Sequence, residues 1–408
     1  MYRPRGTAAR GGRRWWFTMV ALGSLGACGS DAVTAPDLDA RLVSVTVGVL
    51  HTCGLSAANE AFCWGWGEHG QLGTGGTADS DVPLAVAGGH AFASISAGGG
   101  HTCGLTTDGA LFCWGFNLSG QVGNGSTANV LEPTAVGAGL GLSSISAGGT
   151  STCGLNGAGA AYCWGFNGSG QLGDGTTDDR SEPVLVVGGL AFATISAGNF
   201  HTCALTAVGD AYCWGDNENG QLGDSSRLSS ATPVPVAGGL AFATIDAGLG
   251  HTCGVTLTDE AYCWGSGVFG QLGDGGTNST TGPAPIMNNT DYVEVSAGGS
   301  YSCGVRGSGE AWCWGMNQLG QLGANAGVVC LDPNDPTGVT TFFCSPDPIR
   351  VTGGLTFQSI STSTQHTCGV TRSDGAYCWG LGSRGQLGHG RSGENLLSVE
   401  PVRVLGQP

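Results

Sequence analysis

The sequence predicts an all-β chain folded as a seven-bladed β-propeller of four-stranded blades, and three observations carry that prediction. A Cys-Trp-Gly triplet recurs at 63–65, 113–115, 163–165, 213–215, 263–265, 313–315 and 378–380, in steps of 50 residues and a last step of 65. A period near 50 lies in the range of propeller blades. Each period holds short, alternating, β-rich runs bounded by Gly and polar clusters. Composition agrees. Gly is 78 of 408 residues and only 11% are charged, so charged amphipathic helices are scarce, while 40% hydrophobic residues and 11 Trp exclude a low-complexity chain. Length alone would suggest two or three domains, but repeat architectures grow by adding units to one body.

The first element is a processing signal. Basic Met1–Arg14 precedes an apolar run, Trp15–Leu25, and then Leu25-Gly26-Ala27-Cys28. That order reads as a signal peptide over 1–27, and an apolar run of about eleven residues is too short to span a bilayer. Cys28 directly after Leu-Gly-Ala resembles the lipobox of bacterial lipoproteins, in which this Cys becomes the new N-terminus and carries the lipid. A plain secretory signal with an incidental Cys28 is the alternative. Arg13-Arg14 shares only its arginine pair with a twin-arginine signal. Residues 28–41, small, Pro-containing and acidic, read as the lipidated Cys and a flexible tether. The expected location is the cell envelope, with membrane contact through the lipid anchor alone.

All 14 basic residues are Arg, and five of them lie in the first fourteen positions. Without residues 1–27, nine Arg face 30 acidic residues, 9 − 30 = −21. Such a surface repels phosphate backbones, which excludes nucleic acid as a partner.

Residues 42–408 are the propeller. In the unit around 190–224, Ala191–Ile195, His201–Leu205 and Ala211–Gly215 read as strands, with a turn at Gly209, and a further strand signal, Pro183–Val187, precedes them as the first of the unit. In that frame Leu42–Thr46 aligns with the second strand of a unit and Glu400–Val404 with the first. One blade is then shared between the termini, and pairing of the N- and C-terminal strands closes the ring without exposed edges. Fifteen extra residues before the seventh unit make an insertion at about 324–348.

The units carry His101-Thr102-Cys103-Gly104-Leu105, Asp108-Gly109, Cys113-Trp114-Gly115-Phe116-Asn117 and Gly120-Gln121, and Gly-Gln-Leu-Gly recurs at 170–173, 220–223, 270–273, 320–323 and 385–388. On these motifs, over about residues 42–406, the chain resembles the regulator of chromosome condensation repeat family. The resemblance implies a seven-bladed propeller. It also brings the family's best-known activity, guanine-nucleotide exchange on a small nuclear GTPase, and the example of a secreted bacterial propeller that inhibits β-lactamases. Paired cysteines and an export signal depart from the family pattern.

Cysteines number 17. Fourteen form pairs ten residues apart: Cys53/Cys63, Cys103/Cys113, Cys153/Cys163, Cys203/Cys213, Cys253/Cys263, Cys303/Cys313 and Cys368/Cys378. Each pair flanks the turn between the third and fourth strands of a unit symmetrically. Its members therefore face each other in a hairpin, where opposed Cα atoms at about 4.5–5.5 Å suit a disulfide. No C-x-x-C pair favours zinc, and export supplies an oxidising compartment. Each bridge closes a short loop worth roughly 2–3 kcal/mol. Cys330 and Cys344 would close the insertion into a rigid, protruding loop.

Comparing the seven units separates constant from variable positions. The Trp of Cys-Trp-Gly reads as inter-blade core. The recurring His (His51, His101, His201, His251, His366) invites a metal reading, but Ser151 and Tyr301 occupy the same slot, so hydrogen bonding to the neighbouring turn explains it better. Variable positions follow Cys-Trp-Gly (Trp66, Phe116, Phe166, Asp216, Ser266, Met316, Leu381) and precede the His slot (Leu50, Gly100, Thr150, Phe200, Gly250, Ser300, Gln365). Both sets fall in connections, where binding residues concentrate, although neutral drift of turns gives the same pattern. Trp66, Phe116, Phe166, Met316, Leu381 and Phe200 are the candidate binding residues there. Phe342 and Phe343 in the insertion are the candidate exposed anchors. Asp332, Asn334 and Asp335, like the acidic turn Asp174–Asp179, offer oxygens to Ca²⁺ without the rest of an EF-hand spacing.

No nucleophile elbow, P-loop or H-E-x-x-H motif occurs, so the expectation is a monomeric non-enzyme without cofactor or metal. It would be a lipid-anchored binding scaffold for a protein or polymer at the cell surface or in the periplasm. A structural envelope protein, an enzyme with its site on the propeller axis, and nucleotide exchange are the alternatives. Replacing Cys28 is the direct test of the anchor: Cys28→Ser should move the protein from the membrane pellet to the soluble fraction on cell fractionation, and an unchanged pellet would remove the lipid.

Overall fold

The computed structural model describes residues 41–325, 328–331, 341–373 and 375–407. The signal peptide, Cys28, all of the tether before Arg41, and Asp332, Asn334 and Asp335 lie outside the described residues. Among those described there is no helix, and so none long and apolar enough to cross a membrane.

Seven antiparallel sheets make the blades, over 42–85, 92–136, 142–185, 194–235, 242–285, 292–350 and 357–403. Six have four strands in chain order. Blade 6 adds a fifth, Val328–Leu331, paired outside Thr341–Arg350. The first strand of every blade packs against the first strands of its two neighbours, around to blade 7 against blade 1, and these strands therefore surround the axis.

The frame of the blades differs from the sequence expectation by one strand. Of Pro183–Val187, Pro183–Leu185 falls in the outermost strand of blade 3, Arg180–Leu185, and blade 4 begins at Thr194–Ala197. Leu42–Val47 is thus an innermost strand paired with His51–Ser56, and Leu397–Arg403 is an outermost strand paired with Gly375–Leu381. The terminal strands belong to different sheets and do not pair. Among the described residues every blade is built from its own consecutive strands, four in six blades and five in blade 6, so none is left over to share.

The same shift corrects the placement of the cysteines. Cys63, Cys113, Cys163, Cys213, Cys263, Cys313 and Cys378 were expected on fourth strands, but they lie on third strands, each with a further strand outside it. Their partners Cys53, Cys103, Cys153, Cys203, Cys253, Cys303 and Cys368 lie on second strands rather than third. Every bridge therefore sits in the middle of its sheet, and all fourteen cysteines are fully buried. The pairing itself is as expected. Cys53–Cys63, Cys103–Cys113, Cys153–Cys163, Cys203–Cys213, Cys253–Cys263, Cys303–Cys313 and Cys368–Cys378 are each disulfide-bonded. All seven are directly opposed in register. Their Cα atoms are 4.0–4.1 Å apart, closer than the expected 4.5–5.5 Å because the covalent link joins residues already facing at a close, directly opposed position.

Side chains close the ring instead of shared strands. In each blade the Trp indole N–H and a second-strand hydroxyl, Thr or Ser, donate to one carbonyl of the preceding blade, that of the Gln in the Gly-Gln motif. Indole-to-carbonyl distances are 2.9–3.0 Å and hydroxyl-to-carbonyl distances 2.8–2.9 Å. Trp64 and Thr52 make the same bonds to Gln386 across the junction of blades 7 and 1. All seven Trp are fully buried, each in a core between two blades, as Trp214 is with Cys153, Leu155 and Leu172 of blade 3. Gly215 shows why a glycine must follow each Trp: its φ is 109° and a Cβ would come within 2.5 Å of the Phe200 carbonyl oxygen.

A second strand such as His251–Thr256 is buried along its whole length, polar residues included. That is tolerable because His251 Nε2 and the Thr252 hydroxyl find partners across the blade interface and Thr256 bonds Thr258 in its own blade.

Replacing Trp264 by Phe removes an N–H from a buried carbonyl and part of a packed ring, for a loss of about 1–3 kcal/mol. Because blade 1 is attached by the same bonds, Trp64→Phe should shift the urea midpoint by the same amount. A markedly smaller loss at Trp64 would mean that the terminal junction contributes less than the others.

Candidate binding face

One end of every blade carries the turn after the first strand and the long loop after the third. The two sets of variable positions meet there. In all seven blades the N–H of the residue after Cys-Trp-Gly donates to the carbonyl of the residue before the His slot, as Trp66 does to Leu50 at 2.9 Å and Phe116 to Gly100 at 2.8 Å. They form one annulus around the axial opening, which is lined by the inner turns, such as Gly98-Gly99 and Gly248-Leu249.

The long loops are folded around an Asn amide. Asn167 Nδ2 donates to Asp174 Oδ1 (3.2 Å) and to the carbonyls of Thr176 (3.1 Å) and Asp178 (3.0 Å), while Asn167 Oδ1 accepts from the N–H of Leu172. Arg180 pairs with the other Asp174 oxygen at 2.8 Å. The oxygens of the acidic turn Asp174–Asp179 therefore converge on an amide and a guanidinium. Asn117 and Asn217 organise their loops in the same way. Among the described residues no cluster of three or more His, Cys, Asp or Glu side chains could hold a metal ion.

The most connected surface on this face spans blades 1 and 2. The His69 ring lies 4.7 Å from Trp66, edge-on, and 4.9 Å from Phe116 of the next blade. Trp66 Nε1 donates to Glu68, and Leu118, two residues beyond Phe116, is exposed. Trp66 and Phe116 thus belong to one cluster. Phe166, Met316 and Leu381 are half-buried and Phe200 is exposed, and among the described residues none of their side chains makes a ring contact with that cluster.

In the insertion, Val328–Leu331 pairs with the start of Thr341–Arg350, and Cys330 is bonded to Cys344, Cα atoms 5.9 Å apart. Phe342 is not an exposed anchor. It is 6% exposed and packs edge-on against Phe269 of blade 5 at 5.1 Å. Strand alternation explains the difference: Phe342 points inward, so its neighbour Phe343 points outward, 55% exposed opposite the equally exposed Val329.

The recurring His bonds across the blade interface, and His366 also bonds its own turn, its Nδ1 lying 3.1 Å from Ser363 Oγ. His51, His101, His201, His251 and His366 each place Nε2 2.8–2.9 Å from a Thr or Ser hydroxyl of the next blade. That hydroxyl gives its proton to the Gln carbonyl, so Nε2–H is the donor. Burial lowers their pKa values, to about 4 for His101 and about 3 for the others, and keeps the rings neutral.

At the axis, a backbone N–H of each first strand donates to a side chain of the preceding blade, closing a ring of seven bonds at 2.8–3.2 Å. Six acceptors are Ser or Thr hydroxyls. The seventh is Asp246, which takes Ala297 N–H at 2.8 Å and the hydroxyls of Ser196 and Ser296. Burial raises its pKa despite these donors. Glu294 on the adjacent blade accepts from Ile360 N–H at 3.3 Å, and burial, with the charge of Asp246 adding to it, pushes its carboxyl up to about 7. Sequence reasoning passed over both acids, although Asp246 interrupts a visible series: Ser96, Ser146 and Ser196 precede it at equivalent positions.

The fold and this face define a ring-closed, disulfide-stapled propeller with an annulus of variable residues on one face. The chain belongs to the RCC1-like domain family, which it matches over residues 139–407. Residues 42–71, 92–121, 59–105 and 108–155 match the regulator of chromosome condensation (RCC1) repeat. No curated protein matches the chain in sequence. The fold is similar to that of Saccharomyces cerevisiae Prp20p, whose structure was described with its binding to Gsp1p and histones: TM-score 0.73, 21% identity, 90% of this chain and 87% of that one. It is likewise similar to human WBSCR16, with TM-score 0.71, 20% identity, and 83% and 89% of the two chains covered. The ectodomain of the Arabidopsis thaliana receptor kinase ACR4 gives TM-score 0.52, 22% identity, 84% and 98%.

A carboxyl whose pKa is raised on folding stabilises below its ordinary range and loses that contribution as pH rises through the folded value. Glu294→Gln keeps the neutral form at every pH. The variant and the parent should melt together near pH 4, below the ordinary carboxyl value, and the variant should melt higher above pH 7. A difference in Tm that does not grow between those values would contradict the raised pKa of Glu294.

Proposed function

We propose that this protein is an exported, lipid-anchored scaffold that captures a protein partner on the annulus formed by Trp66, Phe116 and the blade 6 hairpin. The carrying observation is the Trp66–His69–Phe116 cluster, three rings joined across a blade junction on a rigid frame. Large, pre-positioned aromatic side chains are the usual anchors of interfaces. Binding of Gsp1p and histones by Prp20p, a protein of the same fold, supports protein capture as a use of this architecture. The partner lies outside the cytosol, in line with the signal at residues 1–27, and nucleotide exchange on a nuclear GTPase would not be open to it.

The test compares the oxidised protein with Trp66→Ala/Phe116→Ala, each immobilised and exposed to envelope and secreted fractions of the source cell. A partner retained by the parent should bind the variant more weakly by about 2 kcal/mol or more, roughly thirtyfold in Kd, with Tm unchanged. Equal retention by both columns, or by neither, would count against this face.

A further inference from the structure

The eight disulfides differ in what can reach them. Both cysteines of every blade bridge are fully buried. The hairpin bridge is different: Cys344 is buried, but Cys330, on the outermost strand of blade 6, is partly exposed. It also lies diagonally across the ladder, because Cys330 stands opposite Phe342 and Cys344 opposite Val328. Thiol–disulfide exchange needs a thiolate to approach one sulfur, and a buried sulfur is reached only when the structure opens.

We infer that Cys330 is the thiol-exchange site of this propeller, at which a dithiol reductant opens the Cys330–Cys344 bridge while the seven blade disulfides stay closed. The thiolate attacks Cys330 Sγ, the S–S bond breaks, and Cys344 leaves as a thiolate that takes up a proton. The second thiol of the reductant then attacks its own sulfur in the mixed disulfide. Cys330 is released and the reductant leaves as a disulfide, so two electrons pass from dithiol to cystine. The bridge ties Val328–Leu331 to the strand bearing Phe343. Once it is open, backbone pairing alone holds Val329 against Phe343, whereas Phe342 keeps its own contact with Phe269. Any effect on capture rests on the docking face proposed above; the exchange step does not.

The full-length oxidised protein is treated with dithiothreitol without denaturant, quenched with N-ethylmaleimide at intervals and mapped by peptide mass spectrometry. Cys330 and Cys344 should be alkylated more than about tenfold faster than any blade cysteine, with the thermal transition of the blades retained. Alkylation of blade cysteines at the same rate, or before the hairpin pair, would overturn the assignment. A parallel column of Cys330→Ser/Cys344→Ser separates the two readings. Selective alkylation with undiminished capture upholds the exchange site and removes the hairpin from the docking face.

Discussion

Each of the seven blade junctions is built around one backbone carbonyl. The Gln of the Gly-Gln motif turns its carbonyl towards the next blade, where an indole N–H and a hydroxyl both reach it. That acceptor satisfies the donors of the wholly buried Trp and Thr side chains, where an unpaired polar group would cost about 1–3 kcal/mol. The histidine follows from the same bond. With the Thr proton committed to the carbonyl, the Thr oxygen is left to accept from His Nε2–H, which extends the contact by another link. The recurrence of His-Thr-Cys, Cys-Trp-Gly and Gly-Gln across the units is the imprint of this acceptor.

Much of the architecture was legible because a repeat multiplies weak signals. Seven Cys-Trp-Gly triplets at a blade-like spacing imply the fold, and a ten-residue gap around a turn puts the cysteines in register. The strand frame was not legible, because a periodic sequence has no intrinsic starting point. Pro183–Leu185 is strand in either frame, and only the pairing assigns it to the blade before. The depth of Cys163 and Cys213 within their sheets depended on that assignment, while their bonding to Cys153 and Cys203 did not. Phe342 and Phe343 were equally good anchors by composition. Their separation comes from alternation against Phe269, a residue more than seventy positions away. The cross-blade role of the histidines was hidden for a related reason: His101 and its acceptor Thr152 are 51 residues apart, about one full unit.

The ring of first strands and the annulus on the face carry different chemistry. At the axis, seven short side chains accept backbone N–H groups, and one is a carboxylate held among hydroxyls beside a second acid on the next blade. At the annulus, residues that satisfy no junction are free to differ, and there the rings of Trp66, His69 and Phe116 meet. Constant geometry inside and unconstrained chemistry on one face is how a rigid scaffold comes to present a specific surface.

Because neither terminal strand is lent to another sheet, the junction of blades 7 and 1 is built on the same indole, hydroxyl and Gln carbonyl as the other six. The terminal segments add local bonds of their own, Arg41 to the carbonyls of Thr371 and Ser373 and the Leu42 N–H to Gln407 Oε1. Joining its ends and reopening the chain between any two other blades would leave every ladder, bridge and carbonyl acceptor in place, so circular permutants should preserve the same set of contacts. A gene encoding such a ring can also gain or lose a blade by duplicating or deleting one contiguous run, without rethreading a strand. The geometry of each unit then sets how many blades complete the circle.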